Sequence, residues 1–393
     1  MEVGDRIPLT IGAIAHGGHF IAHAHDSTIF VRGAMEGELA LVEITHHRKR
    51  VFFAHAVEIL EPSRYRVKPP CSASVECGGC DFQFIGLDQQ RVLKAQVVRE
   101  SLIRFAGMGP VDAQELVGRS ITGMDSGGDW RTRSRFVWQD GWSMRKVGSS
   151  ELVATPECTV ITPEMRDALS ECSPDESGEY FVVQGDHGVS VGQADTVLRG
   201  PASIRHELFN VTWDLTPRIF WQAHYGVIDA ISLFLSDQVN FDPSQSWWDL
   251  YGGVGVFSAF LMDRVHHVTL VEGDRHAIAA ARVAFSGVQD VTIRHADVGE
   301  FIGAHTADTA PFGVILDPPR SGLGTDLARS LVNIAPQVLI YIACDPVALA
   351  RDLKILTEYY SVEALNVVDA FPMTAHMESI AILRRIKPGA DLS

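Results

Sequence analysis

The hydrophobic pattern divides the chain into three stretches of different character. Residues 1–62 show short runs of alternating apolar and polar positions, broken by glycine turns, which is typical of β-strands. The strands are predicted at the following places: Ile7–Ile11, Thr28–Val31, Glu38–Ile44 and Ala54–Ile59. No helical period competes here, so we expect a small β-barrel of the oligonucleotide-binding kind.

Helical and strand patterns are mixed over residues 63–205, which we expect to form a central α+β domain. Leu87–Phe105 has apolar residues at helical spacing, and Gly107 behind it is a typical helix terminator. Trp130–Trp138 alternates like a β-strand.

Residues 206–393 alternate predicted strands with predicted helices, which indicates a doubly wound, Rossmann-like α/β sheet. Trp247–Leu250 is a strand that leads into the glycine loop YGGVG and a helix, and Val268–Val271 is the next strand. Val314–Leu316 and Val338–Ile342 follow as buried parallel strands.

Two residues in this last stretch could carry out chemistry. Cys344 follows a strand, and Asp345 with the proline behind it has the pattern of a helix N-cap and first turn. The positive end of a helix favours a thiolate, so Cys344 is a candidate nucleophile, although a buried structural cysteine would show the same pattern. Glu378 precedes the apolar run Ile380–Leu383 and is either an acid–base group or a surface glutamate.

A glycine loop and three acidic residues indicate a nucleotide-like cofactor. Glu272 lies roughly twenty residues past the loop, where an acidic group can bind ribose hydroxyls. The spacing of DLYGGVG differs from the dinucleotide fingerprint and is typical of S-adenosylmethionine-dependent methyltransferases. Asp297 fits either an adenine contact or a surface aspartate, and Asp317 begins a rigid Asp-Pro-Pro loop over the crevice.

Four cysteines form a candidate metal site. Cys71, Cys77 and Cys80 lie within ten residues of sequence, and Cys158 lies far downstream. Zinc and a [4Fe–4S] cluster could both be bound by four thiolates. The uneven three-plus-one spacing favours the cluster over zinc, because most zinc sites have their cysteines in two closely spaced pairs.

Two segments could contact the backbone of a nucleic acid. His46–Arg50 reads as one compact basic turn, which is either a phosphate contact or an ordinary solvated loop. Arg131, Arg133 and Arg135 would share one face of their strand, as a phosphate track or as a solvated sheet face.

The composition agrees with a globular protein of two or three domains, with 393 residues, 46% of them hydrophobic and 21% charged. A net charge of −16 argues against a basic coat but is compatible with a local basic groove. No long apolar run or basic leader pattern occurs, so we expect a cytoplasmic protein without membrane contact. In a reducing compartment, cysteines are more often metal ligands or catalytic groups than disulfides.

Together these motifs resemble the RNA 5-methyluridine (uracil-5-) methyltransferases over nearly the whole chain. The likeness rests on these segments: CSASVECGGCDFQ with Cys158, FWQAHYGVI, DLYGGVG, DPPRSG, YIACDPVALARD and TAHMES. Residues 1–62 resemble the TRAM domain, which is associated with RNA binding and RNA modification. The family's usual Ser-Cys-Asn is Ala-Cys-Asp here, and an aspartate beside the thiol would oppose thiolate formation.

The resemblance implies a role for each motif. Cys344 would be the nucleophile and Glu378 the base, and the four cysteines would carry a [4Fe–4S] cluster. S-adenosylmethionine would be bound by these positions: Gln222, Tyr251, Gly253, Glu272, Asp297 and Asp317. RNA contacts are expected at these positions: Phe220, which would stack on the target base, Arg131, Arg133 and Arg320.

The function predicted is methyl transfer from S-adenosylmethionine to carbon 5 of a uridine in ribosomal or transfer RNA, through a covalent bond from Cys344 to carbon 6. A 5-methylcytosine RNA methyltransferase is one alternative, but those enzymes typically carry a Pro-Cys nucleophile in the Asp-Pro-Pro loop, which has no cysteine here. A non-catalytic iron–sulfur RNA-binding protein with a retained methyltransferase fold is another. No obligate protein partner is predicted.

Overall fold

Residues 1–124, 127–155 and 157–386 are described by the computed structural model. The first part of the chain forms a five-stranded sheet in the order β1-β4-β5-β3-β2. Its strands are β1 Arg6–Thr10, β2 Phe20–Ala24, β3 Ser27–Arg32, β4 Leu39–Arg48 and β5 Val51–Glu61. Alternate residues of each strand are buried on one face, as the period-2 pattern requires.

Backbone hydrogen bonds link the two outer strands of this sheet near one end. The N–H of Gly12 donates to the carbonyl of Ile21 at 2.8 Å, and the N–H of Ile21 donates to the carbonyl of Ala13 at 2.9 Å. These bonds join the chain just after β1 to β2. The barrel itself remains a prediction.

The predicted basic turn at His46–Arg50 is wrong, because the strands around it are longer than the hydrophobic alternation indicates. His46 and Phe53 are paired across β4 and β5, and their rings stack with centroids 4.3 Å apart. His47 stacks on Phe52 in the same way, at 5.3 Å. The turn is therefore confined to the two residues between the strands.

The central part of the chain packs helices beside a six-stranded antiparallel sheet in the order β11-β10-β9-β6-β7-β8. Its helices are α1 Leu87–Ser101, α2 Pro110–Val117 and α3 Pro163–Ser170. Its strands are β6 Arg133–Trp138, β7 Trp142–Arg145, β8 Leu152–Ala154, β9 Gly178–Gly185, β10 Gly188–Gln193 and β11 Thr196–Arg199.

Two sequence predictions in this region need adjustment. The helix that begins at Leu87 widens into a π-helical turn over Leu102–Ala106 and ends at Gly107, whose φ is +76°. The strand predicted from Trp130 begins only at Arg133. Arg131 instead forms isolated β-bridges with two separate segments of the chain. It therefore lies outside the strand.

The last part of the chain has a short hairpin, β12 Ile204–Leu208 and β13 Val211–Leu215, followed by a seven-stranded sheet. The strands of that sheet are β14 Ser246–Leu250, β15 His267–Glu272, β16 Val291–His295, β17 Gly313–Leu316, β18 Val338–Ala343, β19 Tyr360–Val368 and β20 Glu378–Arg385. The helices are α4 Val227–Gln238, α5 Val256–Met262, α6 Arg275–Ala284, α7 Val298–Gly303, α8 Thr325–Ile334 and α9 Pro346–Leu356.

The sheet order is β16-β15-β14-β17-β18-β20-β19, with β14 to β18 parallel and β20 antiparallel to β18. All six residues of β18 are buried, since apolar layers cover both faces of the sheet. The parallel strands end at one edge, and the antiparallel β20 begins there. Every acidic or thiol residue that follows a parallel strand, or opens β20, is therefore directed to one edge.

No helix in the described ranges is long and apolar enough to cross a membrane.

Candidate active site

Cys344 and Glu378 come together at this edge of the sheet. Ala343 pairs with Ser379 in the last rung between β18 and β20, so the next residues on the two strands are Cys344 and Glu378. Cys344 is partly exposed, whereas Glu378 is only 3% exposed. Neighbouring strands lie about 5 Å apart. The register thus sets the thiol beside the carboxyl group.

The surroundings of Cys344 hold its proton on the sulfur. Burial and the nearby Glu378 and Asp317 carboxyls together raise the pKa of the thiol to about 11, against the opposing effect of Arg320. The prediction that the helix end would favour the thiolate is therefore wrong, because the pKa of the thiol is raised overall. Desolvation and two neighbouring acids outweigh the dipole of a helix end.

Glu378 is a buried acid without a hydrogen-bonding partner on one oxygen. Its Oε1 has no partner among the described residues. Burial and the neighbouring Asp317 raise the pKa of Glu378 well above its usual range, and Arg320 lowers it. A carboxyl group with a raised pKa is a stronger base once ionised, which suits a group that must accept a proton from carbon.

Asp317 and Asp249 form a second acidic pair at the ends of β17 and β14. Burial and the charge of Asp249 raise the pKa of Asp317 to about 7, although part of its surface reaches solvent. Burial likewise raises the pKa of Asp249 to about 7, while Ser258 donates a hydrogen bond of 2.6 Å to it. A cluster of acids at a strand switch point is a setting that binds a cationic ligand.

The glycine loop after β14 is tied to Glu272 at the end of β15. The N–H of Gly253 donates to Oε2 of Glu272 at 3.0 Å, and the N–H of Asp274 donates to Oε1 at 2.6 Å. Gly253 has a φ of +55°, and a Cβ atom there would meet open space. Glu272 therefore has a fixed orientation and, with four acceptor lone pairs, can still bind hydroxyl groups.

Tyr251 and Asp297 complete the wall around this loop. The charges of Asp297 and Glu272 add to burial in raising the pKa of Tyr251, which places the three side chains in one neighbourhood. Asp297 is exposed and caps α7, since its Oδ1 accepts N–H bonds from Gly299 and Glu300. Gln222 is partly exposed.

A cleft of about 910 Å³ is lined by residues of the central sheet together with Arg320 of the Asp-Pro-Pro loop. Its lining is rich in cationic and aromatic residues: Arg131, Arg133, Arg135, Arg320, Phe220, Phe371 and His376. Phe220 is 71% exposed, which is unusual for a side chain of its size. The cleft also reaches Gly78 and Gly79 of the cysteine loop. Sequence reasoning missed His376, which lies within the TAHMES segment.

The three arginines of the predicted track face the cleft but are not equivalent. Arg131 donates from Nε to the carbonyl of Arg133, and Arg133 donates to the carbonyl of Pro217 at 2.7 Å. Burial lowers the pKa of Arg133 to about 10. Only Arg135 is well exposed, and it pairs with Glu179.

Asp345 occupies the helix end that the sequence predicted, and it has a partner that the sequence did not reveal. Its Oδ1 accepts the N–H groups of Val347 and Ala348 at 3.0 and 2.8 Å, so it is the N-cap of α9. Its Oδ2 lies 3.0 Å from Nε2 of His16, which comes from the loop before β2. This imidazole and the helix amides hold the pKa of Asp345 below its usual value, against the opposing effect of burial.

The four cysteines lie in one neighbourhood. Three are buried, and the charge of Cys158 contributes to the raised pKa values of Cys77 and Cys80, in which burial is the main cause. Donors surround these sulfurs: the N–H of Gly79 lies 3.4 Å from Sγ of Cys77. Hydrogen bonds of this kind suit thiolate ligands. In the part of the chain that the structure describes, however, no three Cys, His, Asp or Glu side chains are close enough to hold a metal ion.

The comparisons with known proteins agree with this geometry. A family described as tRNA (uracil-5-)-methyltransferase matches residues 237–386. An uncharacterized RNA methyltransferase of Streptomyces avermitilis is 32% identical to the chain, and the match covers 98% of this chain and 100% of the relative. The chain belongs to the RNA (uracil-5-)-methyltransferase family. Members of this class are S-adenosylmethionine-dependent enzymes, and the chain is one of them.

Two further proteins are similar to this methyltransferase over most of its length. The 23S rRNA (uracil(1939)-C(5))-methyltransferase RlmD of Vibrio campbellii is 27% identical, over 94% of each chain. The crystal structure of the tRNA (uracil-54, C5)-methyltransferase of Pyrococcus abyssi, with S-adenosyl-L-homocysteine, is 22% identical and has a TM-score of 0.72. That match covers 95% of this methyltransferase and 99% of the archaeal chain, and it shows that the two share a fold.

Proposed function

We propose that the protein methylates carbon 5 of a uridine in large-subunit ribosomal RNA, with Cys344 as a covalent nucleophile and Glu378 as the base. The observation that carries this proposal is the register of β18 and β20, which sets these two side chains next to each other at one edge of the sheet. The RlmD relative, which matches nearly the full chain, favours ribosomal over transfer RNA as the substrate.

The chemistry requires one nucleophile and one base. Carbon 5 of uracil is a weak nucleophile, and addition of the Cys344 thiolate to carbon 6 converts the ring into an enolate whose carbon 5 can accept a methyl group. S-adenosylmethionine, when bound, supplies that methyl group on a sulfonium. Glu378 then removes the proton from carbon 5, the carbon–sulfur bond breaks, and the electron pair returns to Cys344.

The thiol must lose its proton before it can attack. Its raised pKa keeps it protected in the free enzyme, and Arg320 is the cation that favours ionisation. Arg320 is exposed in the cleft, so RNA that fills the cleft would exclude water and strengthen this interaction. Activation of Cys344 would then depend on substrate binding rather than on the helix end.

RNA binding is assigned to the arginine-lined cleft. A base inside a folded RNA cannot reach the thiol, so the target uridine must leave its stack. Phe220 offers an exposed aromatic face on which that base can stack, and Arg133 and Arg320 offer cationic groups along the path of the phosphates. Arg131 has its Nε bonded to a carbonyl and interacts with Cys80 and Cys158, so we give it a supporting role. We place the five-stranded sheet of residues 1–62 with this RNA surface.

The cofactor residues are assigned to the loop after β14. Glu272 would bind the ribose hydroxyls, Asp297 and Tyr251 would border the adenine, and Asp317 would face the sulfonium side. Gly253 lets the ligand approach the loop backbone. Gln222, next to the aromatic of the cleft, would contact the amino-acid part of the ligand.

The four cysteines are proposed as ligands of a [4Fe–4S] cluster. The donor set has the right chemistry and the N–H donors around the sulfurs support it. The sulfurs would have to close in on the cluster, because their present arrangement does not form a ligand group. We give this cluster no part in methyl transfer.

The test of the proposal is a methylation assay with unmodified 23S ribosomal RNA and unmodified transfer RNA, read as 5-methyluridine by nucleoside mass spectrometry. The account expects 5-methyluridine in the ribosomal RNA, and a loss of at least about 1,000-fold in the Cys344→Ala variant. Cys172→Ala is the matched control, since it removes another thiol of the same chain outside the site. Methylation of transfer RNA alone would reject ribosomal RNA as the substrate. RNA binding without any methyl transfer would favour the alternative of a non-catalytic iron–sulfur RNA-binding protein.

A further inference from the structure

The loop that ends at Glu378 is held by residues next to the cysteine loop, and we propose that Asp81 positions the catalytic base. This inference rests on the function proposed above. We call residues 369–377 the base loop, because this segment follows β19 and leads directly into Glu378. Part of it, Phe371, Thr374 and His376, also lines the cleft.

Asp81 is bonded to the base loop through both its backbone and its side chain. The N–H groups of Asp81 and Phe82 both donate to the carbonyl of Met373, at 3.0 and 2.9 Å. The Oδ2 atom of Asp81 accepts the N–H of Ala375 at 3.2 Å. The other oxygen accepts a hydrogen bond from Arg32 of β3. Asp81 therefore links the first sheet, the cysteine loop and the base loop.

The two halves of the base loop are anchored by different parts of the chain. Lys94 of α1 donates to Asp369 at 2.5 Å and to the carbonyl of Phe371 at 3.0 Å, and both charged groups are buried. Gln90 of the same helix accepts the N–H of Met373 at 2.9 Å. These contacts fix the loop from Asp369 to Met373, whereas the side chain of Asp81 bonds to Ala375, nearer to Glu378.

Close packing reinforces the second anchor. A Cβ atom at Gly18, whose φ is +80°, would lie 2.8 Å from the Cβ of Ala375 and 3.6 Å from the Cβ of Asp81. The first sheet thus packs against the base loop at the point where Asp81 holds it. Loss of the Asp81 side chain would release the N–H of Ala375, three residues before Glu378.

This arrangement predicts a step-specific effect. Cys344 is carried by β18 and α9, which none of the Asp81 bonds given above touches, so its addition to carbon 6 should survive loss of Asp81. Removal of the carbon 5 proton requires Glu378 within hydrogen-bonding reach of that carbon, and a displacement of about 1 Å can cost roughly 100-fold. The covalent RNA intermediate, already methylated, should then accumulate, because its carbon–sulfur bond breaks only after proton removal.

The experiment compares full-length wild-type, Asp81→Ala and Asp81→Asn proteins with ribosomal RNA and S-adenosylmethionine. Two readouts are needed: steady-state 5-methyluridine and the fraction of enzyme bound covalently to RNA on a denaturing gel. We expect Asp81→Ala to lower kcat by about 10- to 100-fold with a raised adduct fraction. Asp81→Asn keeps an acceptor for Ala375 and should restore turnover. Arg6→Ala, which removes an exposed ion pair with Glu43 from the same sheet, should match the wild type.

If Asp81→Ala lost the covalent adduct and 5-methyluridine to the same extent, the inference would be overturned, because Asp81 would then have a general structural role. Unchanged turnover in that variant, or an Asp81→Asn variant as defective as Asp81→Ala, would also overturn it. Failure of the proposed function has a different signature, because the wild-type protein itself would then form no 5-methyluridine.

Discussion

At the scale of single residues, burial raises the pKa of each group proposed to take part in the chemistry. Cys344, Glu378 and Asp317 each have a raised pKa, and burial is the first cause for all three. Arg320 lowers the pKa values of Cys344 and Glu378. The raised pKa thus favours the protonated form of the Cys344 thiol in the free enzyme, which protects it from unwanted alkylation and oxidation.

The reactivity of Cys344 in the free protein should therefore depend steeply on pH. Alkylation requires the thiolate, and below a pKa of about 11 the thiolate fraction rises about tenfold for each pH unit. Iodoacetamide labelling of Cys344, followed by peptide mass spectrometry from pH 7 to pH 9, should show this slope. Arg320→Ala removes a cation that favours the thiolate, so its labelling should be slower at each pH. Arg320→Lys should stay close to wild type.

A labelling rate at Cys344 that is flat over this pH range would contradict the raised pKa. Faster labelling in Arg320→Ala would contradict the role given to Arg320.

At the scale of elements, β18, α9 and β20 form the unit to which we assign the chemistry. The buried strand β18 fixes the position of Cys344, and α9 begins at once behind it with Asp345 as its cap. The substitution of aspartate for the family's asparagine places a charge beside the thiol. In the structure that charge is directed at the helix amides and at His16, and it is not among the groups that raise the pKa of Cys344.

Substitutions at Asp345 should separate its capping role from its charge. Asp345→Ala removes the acceptor for two N–H groups and should lower the free energy of unfolding by about 1 kcal/mol. Asp345→Asn keeps a good capping group and should cost less, although it weakens the interaction with His16. Urea unfolding at pH 7 measures both. Equal losses in the two variants would show that the charge, and not the cap, provides the stabilisation.

At the scale of the whole molecule, the sequence predicted most strands of the last sheet. The buried run Val338–Ile342 and the apolar run after Glu378 each correspond to a strand, because a strand buried on both faces leaves a continuous apolar signal. The convergence of Cys344 and Glu378 at one edge follows from strand direction alone once the topology is known.

What the sequence did not reveal depends on contacts between distant segments. His46 and His47 were expected in a loop, but pairing with Phe52 and Phe53 extends the strand through them. The raised pKa of Cys344 reflects burial and then the charges of Glu378 and Asp317, which are far from it along the chain. The pairing of Asp81 with Arg32 also joins remote segments, and no local pattern marks it.

The central claim is that Cys344 becomes bonded to the uridine and that Glu378 is needed to release it. The most direct measurement is tandem mass spectrometry of the covalent complex formed by the Glu378→Gln variant with ribosomal RNA and S-adenosylmethionine. We expect an adduct that joins Cys344 to a methylated uridine and that is absent when Cys344 is also replaced by alanine. Formation of 5-methyluridine by Cys344→Ala, or an adduct at any other residue, would contradict it.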